Sequence, residues 1–294
     1  MATGIVQSND VKPERGPERP PPGWIASWVA QWGSATVDGL RTIGDLTLFA
    51  LVMLRLAVTR LPARGTLLPN FYQIGALSMP VVALTGTFIG MVLAVNSYPT
   101  FHAIGWDTRL GRVINSTLLQ ELGPVLAATM LAGRVGSAMA AVLGTMRVTE
   151  QIDALQTMGA DPMHYLVVPR FLACLLLIPA LTVMADFMGI VGGYFYSIYI
   201  WKIDHGAYLN YSRQGALGFD LFSGIVKSFF FGGIIATVSC YRGFHCKPGA
   251  DGVGKAATTA FVYSFVLILS TDLILGILLT SVYTTLYPSG TSLI

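Results

Sequence analysis

Along most of the chain, polar side chains are sparse and gather at the ends of long apolar runs. A helix that crosses about 30 Å of hydrocarbon needs about 20 mostly apolar residues. Five stretches meet or approach that length: 72–98, 111–145, 166–200, 219–242 and 257–287. Several exceed the minimum, which predicts tilt or extension into water. The expected fold class is an all-α integral membrane protein with about five transmembrane helices.

Two stretches break this pattern. Over 24–64, Trp24, Trp28 and Trp32 recur at every fourth position and share one helical face, and Asp38, Arg41, Asp45 and Arg55 interrupt the apolar run that follows. Trp favours the headgroup level, where an amphipathic helix lies flat. The segment reads as an interfacial elbow helix; a further span at 46–61 is the competing reading, short and burdened by Arg55. Between the second and third spans, Arg147, Thr149, Glu150, Gln151, Asp153 and Gln156 are polar, while Val148, Ile152 and Leu155 form one stripe. This predicts a short cytoplasmic helix ending near Gly159, with Asp161 and Pro162 opening the next span. An apolar ridge on a water-facing loop suits docking of a cytoplasmic partner.

The second span carries small residues at every fourth position, Ala128, Ala132, Gly136, Ala140 and Gly144, with Gly133, Ser137 and Ala141 in a row beside them. In lipid, helices associate by close backbone approach, and small residues permit it. Pro124 lies inside this span and predicts a kink.

Composition agrees with the membrane reading: 53% of the 294 residues are apolar and 11% charged, against about 25% charged in soluble domains. A net charge of +3 makes no case for nucleic acid. Residues 1–23 hold Pro13, Pro17, Pro20, Pro21 and Pro22 among charges and read as a disordered tail; the acids Asp10, Glu14 and Glu18 argue against a transit peptide. The remainder, 24–294, reads as one domain. Arg60, Arg64, Arg147, Arg242, Lys247 and Lys255 fall on one side of five alternating spans, which predicts a cytoplasmic N-terminus and an external C-terminus. Arg109, Arg112, Lys202 and Arg213 fall on the other side, so the bias is incomplete. Cys174, Cys240 and Cys246 have no paired spacing, and no His, Cys and carboxylate set has metal-ligand spacing.

Glu121, Arg134, Asp186, Lys227 and Asp272 lie in or near apolar runs. A charge at mid-bilayer costs on the order of 3 kcal/mol or more and must face protein or water. Interhelical pairing or snorkelling accounts for Arg134 and Lys227; a headgroup site or proton path is the functional reading for the acids. Gly249 through Lys255 has the spacing of a phosphate-binding loop up to its Lys, but Ala256 follows where Ser or Thr is required and no apolar strand precedes it, so nucleotide binding is not expected there.

The runs Glu121-Leu122-Gly123-Pro124-Val125-Leu126-Ala127-Ala128, Ala132-Gly133-Arg134-Val135-Gly136-Ser137-Ala138 and Gly144 through Leu155, followed by Asp161-Pro162, resemble the MlaE/YrbE permease family. Phe88 through Leu93 and Gly254 through Thr258 fit as well. The resemblance covers nearly everything after the proline-rich tail. It implies a homodimer bound to a cytoplasmic ABC ATPase, which would bind ATP and magnesium, leaving this chain with no cofactor and no catalysis of its own. It implies transport of phospholipids or similar lipids between the inner membrane of a diderm bacterium and a periplasmic MCE-domain protein. It further assigns Glu150, Gln151, Ile152, Asp153, Ala154 and Leu155 as the coupling helix, and Val95, Tyr98 and Glu121 as lipid-path positions. Gln120 stands where some members of that family carry Arg.

Two other functions fit the residues alone. One is an ion-coupled secondary transporter using Glu121, Asp186 or Asp272 as a proton site. The other is a non-transporting scaffold whose cytoplasmic helix recruits a partner.

Overall fold

The computed structural model describes residues 24–59, 64–215 and 218–286. The tail expected over 1–23, Arg60 and the last residues of the chain lie outside them. The chain divides into two units, Met1–Asp45 and Leu46–Ile294. In the first, the described residues belong to the start of helix α1 (Trp24–Thr59); the Trp28 and Trp32 rings lie 5.6 Å apart and both are exposed.

Among its described residues, the second unit contains the end of α1 and seven further helices. These are α2 (Gly65–Ala103), α3 (Asp107–Val148), α4 (Gln151–Thr157), α5 (Met163–Ile200), α6 (His205–Gly215), α7 (Gly218–Phe244) and α8 (Ala250–Leu286). Helices α2, α3, α5, α7 and α8 cover the five stretches expected to cross, and each is long and apolar enough to do so. Trp32–Thr59 in α1 also meets that criterion of length and composition, where the sequence suggested an elbow.

Proline placement explains three of the five wide, five-residue turns of the helix among the described residues; those at Ala132–Gly136 and Tyr196–Ile200 precede no proline. The three occur at Tyr72–Ala76, Leu118–Leu122 and Met163–Val167. Each contains the residue four positions before a proline: Ala76 before Pro80, Gln120 before Pro124, Tyr165 before Pro169. A helical proline has no N–H for the carbonyl four residues back and its ring collides with it. Widening the turn moves that carbonyl aside and lets the helix continue.

The core is built on backbone contact. A Cβ added at Gly86 or Gly90 of α2 would overlap the Ala185 or Gly189 carbonyl of α5, and one at Gly192 would overlap the Thr87 carbonyl. The small-residue row of α3 is buried throughout, Ala128, Ala132, Gly136, Ala140 and Gly144 included. It faces α7 and the loop after it: a Cβ at Gly136 would lie 2.9 Å from Ser239 Oγ, and one at Gly144 3.2 Å from Cys246 Sγ. The second row turns toward α8, where Gly133 faces Phe261.

At the opposite end of the bundle, Ala94, Leu110, Ile114, Ile203 and Tyr208 form a smaller cluster under α6. There Asn115 Nδ2 donates to Ser212 Oγ at 2.5 Å. Burial pushes the Tyr208 phenol above its usual value.

Candidate functional site

The most distinctive polar feature starts from Pro124. Having no N–H, it leaves the Gln120 carbonyl without its ordinary helical donor, and Lys227 of α7 supplies one: Nζ donates to Gln120 O at 3.1 Å. The same ammonium donates to Glu121 Oε2 at 2.9 Å and lies 3.0 Å from Asp272 Oδ1 of α8. The last contact is ionic, without hydrogen-bond alignment, since Asp272 Oδ1 has no hydrogen-bond partner. Gln120 Nε2 in turn donates to Asp220 Oδ1 at 2.7 Å. α7 can approach this closely because Gly224 faces the wide turn; a Cβ there would lie 2.5 Å from the Leu119 carbonyl. Lys227 is therefore an interhelical pair, at 1% side-chain exposure, whereas Glu121 is 51% exposed.

Glu121 opens onto a cavity of about 240 Å³ lined by Gln120, Asp220, Ser223, Phe219 and Tyr283 among others. The Phe219 and Tyr283 rings lie 4.8 Å apart on its wall. An adjoining groove of about 550 Å³ shares Glu121, Gly276 and Thr280 and runs along α8 past Leu273 and Ile277. The groove adds aliphatic surface from Leu273 and Ile277 beside Asp272 and the hydroxyls of Thr280, Ser281 and Thr284, so the joined recess offers both polar and apolar contacts.

The short helix α4 lies at the other end of α3. Glu150 precedes it in the left-handed region, φ 59°, which turns the chain sharply after Val148. Arg147 donates to Asp153 Oδ1 at 2.5 Å and fixes the turn. Ile152 is 2% exposed and joins the main core, with Leu155 packed beside it. This corrects one expectation: Ile152 and Leu155 face the protein's own bundle, not a partner. The exposed side of this segment presents Glu150, Gln151, Ala154, Gln156 and Met158.

The family model described as Permease MlaE matches residues 67–278, which includes α3, α4 and α7 whole and α8 as far as Leu278. The chain belongs to the MlaE permease family. It is 40% identical over 237 residues to a probable ABC transporter permease protein of Rickettsia conorii, covering 81% of this chain and 92% of that one. It is 33% identical over 211 residues to the intermembrane phospholipid transport system permease protein MlaE of Haemophilus influenzae, covering 71% and 80%. It is 36% identical over 225 residues to the chloroplastic protein trigalactosyldiacylglycerol 1 of Arabidopsis thaliana, covering 76% and 64%.

Of the three lipid-path positions expected for an MlaE permease, the structure places only Glu121 in the cavity. Val95 lies half-exposed on α2. Tyr98 stacks on Trp201 at 4.0 Å, beside the smaller cluster under α6. Lys227, Asp272, Asp220 and Gln120 belong with Glu121, and the sequence did carry a signal for this: a mid-span Lys needs an acid, and the intramembrane acids were few. Arg134 donates to Ser78 Oγ. Asp186 is buried, its Oδ1 set against Gly123 and without a hydrogen-bond partner.

The glycine-rich run 249–255 is not a phosphate loop in this MlaE-family chain. Gly249 turns at φ +93°, α8 begins at Ala250, and Lys255 pairs with Asp251 at 2.7 Å within its first turns. Among the described residues no group of three His, Cys, Asp or Glu is placed to hold a metal.

Proposed function

We propose that this chain is the membrane subunit of an ATP-driven transporter that moves phospholipids between the inner membrane of a diderm bacterium and a periplasmic MCE-domain partner. It would act as a homodimer on a cytoplasmic ABC ATPase that binds ATP and magnesium. The observation that carries the reading is the cavity at Glu121: a charged, aromatic-edged recess joined to a groove that adds the aliphatic side chains of Leu273 and Ile277, polar and apolar contacts side by side as a phospholipid requires. Similarity to the intermembrane phospholipid transport system permease of Haemophilus influenzae supports the substrate class, and similarity to the probable ABC transporter permease of Rickettsia conorii supports ATP over an ion gradient.

In this reading α4 is the coupling helix. Its buried ridge anchors it to α3, so force on its exposed side passes to the bundle. The basic residues Arg147, Arg242, Lys247 and Lys255 gather at this end, which supports a cytoplasmic placement and an external C-terminus. Phe49 of α1 packs on Tyr241 and Phe244, 5.6 and 6.0 Å between ring centroids, at the same end. That supports an α1 whose later part lies along the inner face as an elbow, with five crossing helices.

The test is co-purification of the ATPase with Glu150→Lys, in which an exposed acid beside α4 is reversed. Glu150 makes no ion pair among the described residues, so the substitution leaves the permease folded. Expected is at least a tenfold loss of bound ATPase with unchanged permease yield. Undiminished ATPase recovery would remove α4 as the coupling element.

A further inference from the structure

Lys227 is the cation of the cavity cluster, yet it has little to offer an incoming molecule. Its ammonium has three N–H groups. Two are spent on Gln120 O and Glu121 Oε2, Asp272 lies against it at 3.0 Å, and 1% of its side chain is exposed. The group that does face the cavity is the Glu121 carboxylate, half-exposed. Asp220, held by Gln120, lines the same recess. Two carboxylates, Glu121 and Asp272, lie against one ammonium, so acids outnumber the cation at this junction, with Asp220 a further carboxylate in the same recess. The aromatic pair of Phe219 and Tyr283 adds ring faces and edges to the same wall. Acids together with aromatic faces attract cations, quaternary and primary ammonium groups among them, and an excess of like charge in a low-dielectric site repels anions.

We infer that the cavity selects the ammonium of a zwitterionic phospholipid headgroup, ethanolamine or choline, and discriminates against anionic headgroups that lack a cation. This rests on the reading of the cavity as part of the lipid path. The size supports it: about 240 Å³ is below the usual range of roughly 300–1,000 Å³ for whole-ligand pockets and suits a headgroup, with the acyl chains left to the adjoining groove and the bilayer.

The experiment uses the full chain with its ATPase in nanodiscs of equal phosphatidylethanolamine and phosphatidylglycerol, with retained lipid measured by native mass spectrometry after stripping the annulus. The wild type should retain phosphatidylethanolamine at least fivefold over phosphatidylglycerol. Glu121→Gln with Asp220→Asn should bring the ratio to within about twofold of the bulk. Gln120→Arg, which adds a cation beside Asp220 and Glu121 without removing an acid, should shift retention toward phosphatidylglycerol. Retention at the bulk ratio by the wild type, or an unchanged ratio in both variants, overturns the inference while leaving lipid transport standing. Retention of no lipid at all by the wild type overturns the inference and the lipid-path reading together.

Discussion

Replacing Lys227 with Met tests whether the charged cluster holds α3, α7 and α8 together at the cavity. Met keeps the length of the side chain and fills space flexibly, so the loss is electrostatic rather than a cavity. Removing one partner from a buried ion pair costs about 3–5 kcal/mol, chiefly because the other charge is stranded. Here two carboxylates are stranded unequally. Glu121 is 51% exposed and rehydrates readily; Asp272 is 17% exposed and does not. The loss of the donor to Gln120 O adds about 1 kcal/mol. Screening at Glu121 offsets that addition, which leaves a cost of about 3 kcal/mol, at the lower end of the range. The structure also says where the penalty sits, so Asp272→Asn in the Lys227→Met background should recover about half of it. The assay is unfolding of the purified permease in a graded detergent–SDS titration, followed by tryptophan fluorescence and circular dichroism. A Lys227→Met variant within about 0.5 kcal/mol of wild type, the scale of an ordinary surface change, would refute the argument. So would a penalty that Asp272→Asn leaves untouched.

Two further outcomes follow from packing and exposure. Gly90→Ala forces a Cβ into the Gly189 carbonyl and should destabilise by about 2–3 kcal/mol or more, as overpacking does. Gly254→Ala in α8 meets nothing within 4 Å and should stabilise by about 0.5–1 kcal/mol; the same SDS titration reads both. Cys246 is the partly exposed cysteine, while Cys174 and Cys240 are buried. A membrane-impermeant maleimide should therefore label Cys246 in inverted vesicles and not in spheroplasts, and labelling in spheroplasts would reverse the proposed orientation. Desolvation raises the Cys246 thiol above its usual value of 9.0, so less thiolate is present at neutral pH than for a free thiol and the labelling rate should climb steeply as pH passes 9.

The crossing helices were legible in the sequence because an apolar run longer than 20 residues has few solutions other than a span. The α3 packing face was legible too, since small residues at every fourth position fall on one side whatever the partner is. What the pattern withholds is the partner. Gly86 and Gly90 look like ordinary span residues until Gly189, about a hundred positions away, is seen against them. Lys227 announced that it needed a counter-charge, but sequence spacing gives depth along a helix and not rotation, so Glu121, Asp186 and Asp272 could not be ranked. Val148, Ile152 and Leu155 marked α4 as amphipathic without saying which side it buries. That choice depends on the left-handed turn at Glu150, which re-aims the stripe toward the core. Helix α6 went unseen because its eleven residues are too polar to read as a span and sit in what looked like an external loop.

The proline and the lysine are parts of one arrangement. Pro124 widens the turn and frees a carbonyl; Gly224 brings α7 close enough to reach it; Lys227 then binds that carbonyl and two carboxylates on different helices. A compact ammonium suits this task because its three donors point in separate directions, whereas the planar guanidinium of Arg favours a single bidentate partner. The outcome is a junction of α3, α7 and α8 at the cavity wall. From Gly123 to Val148 α3 covers about 39 Å at 1.5 Å per residue, with a further wide turn at Ala132–Gly136, and reaches Glu150 two residues later. Ile152 and Leu155 tie α4 to the core at that far end. Under the proposed coupling role, a displacement of α4 would reach the carboxylates that line the cavity along α3, and it would cross two places where the helical hydrogen-bond pattern widens: Ala132–Gly136 and the turn next to Pro124.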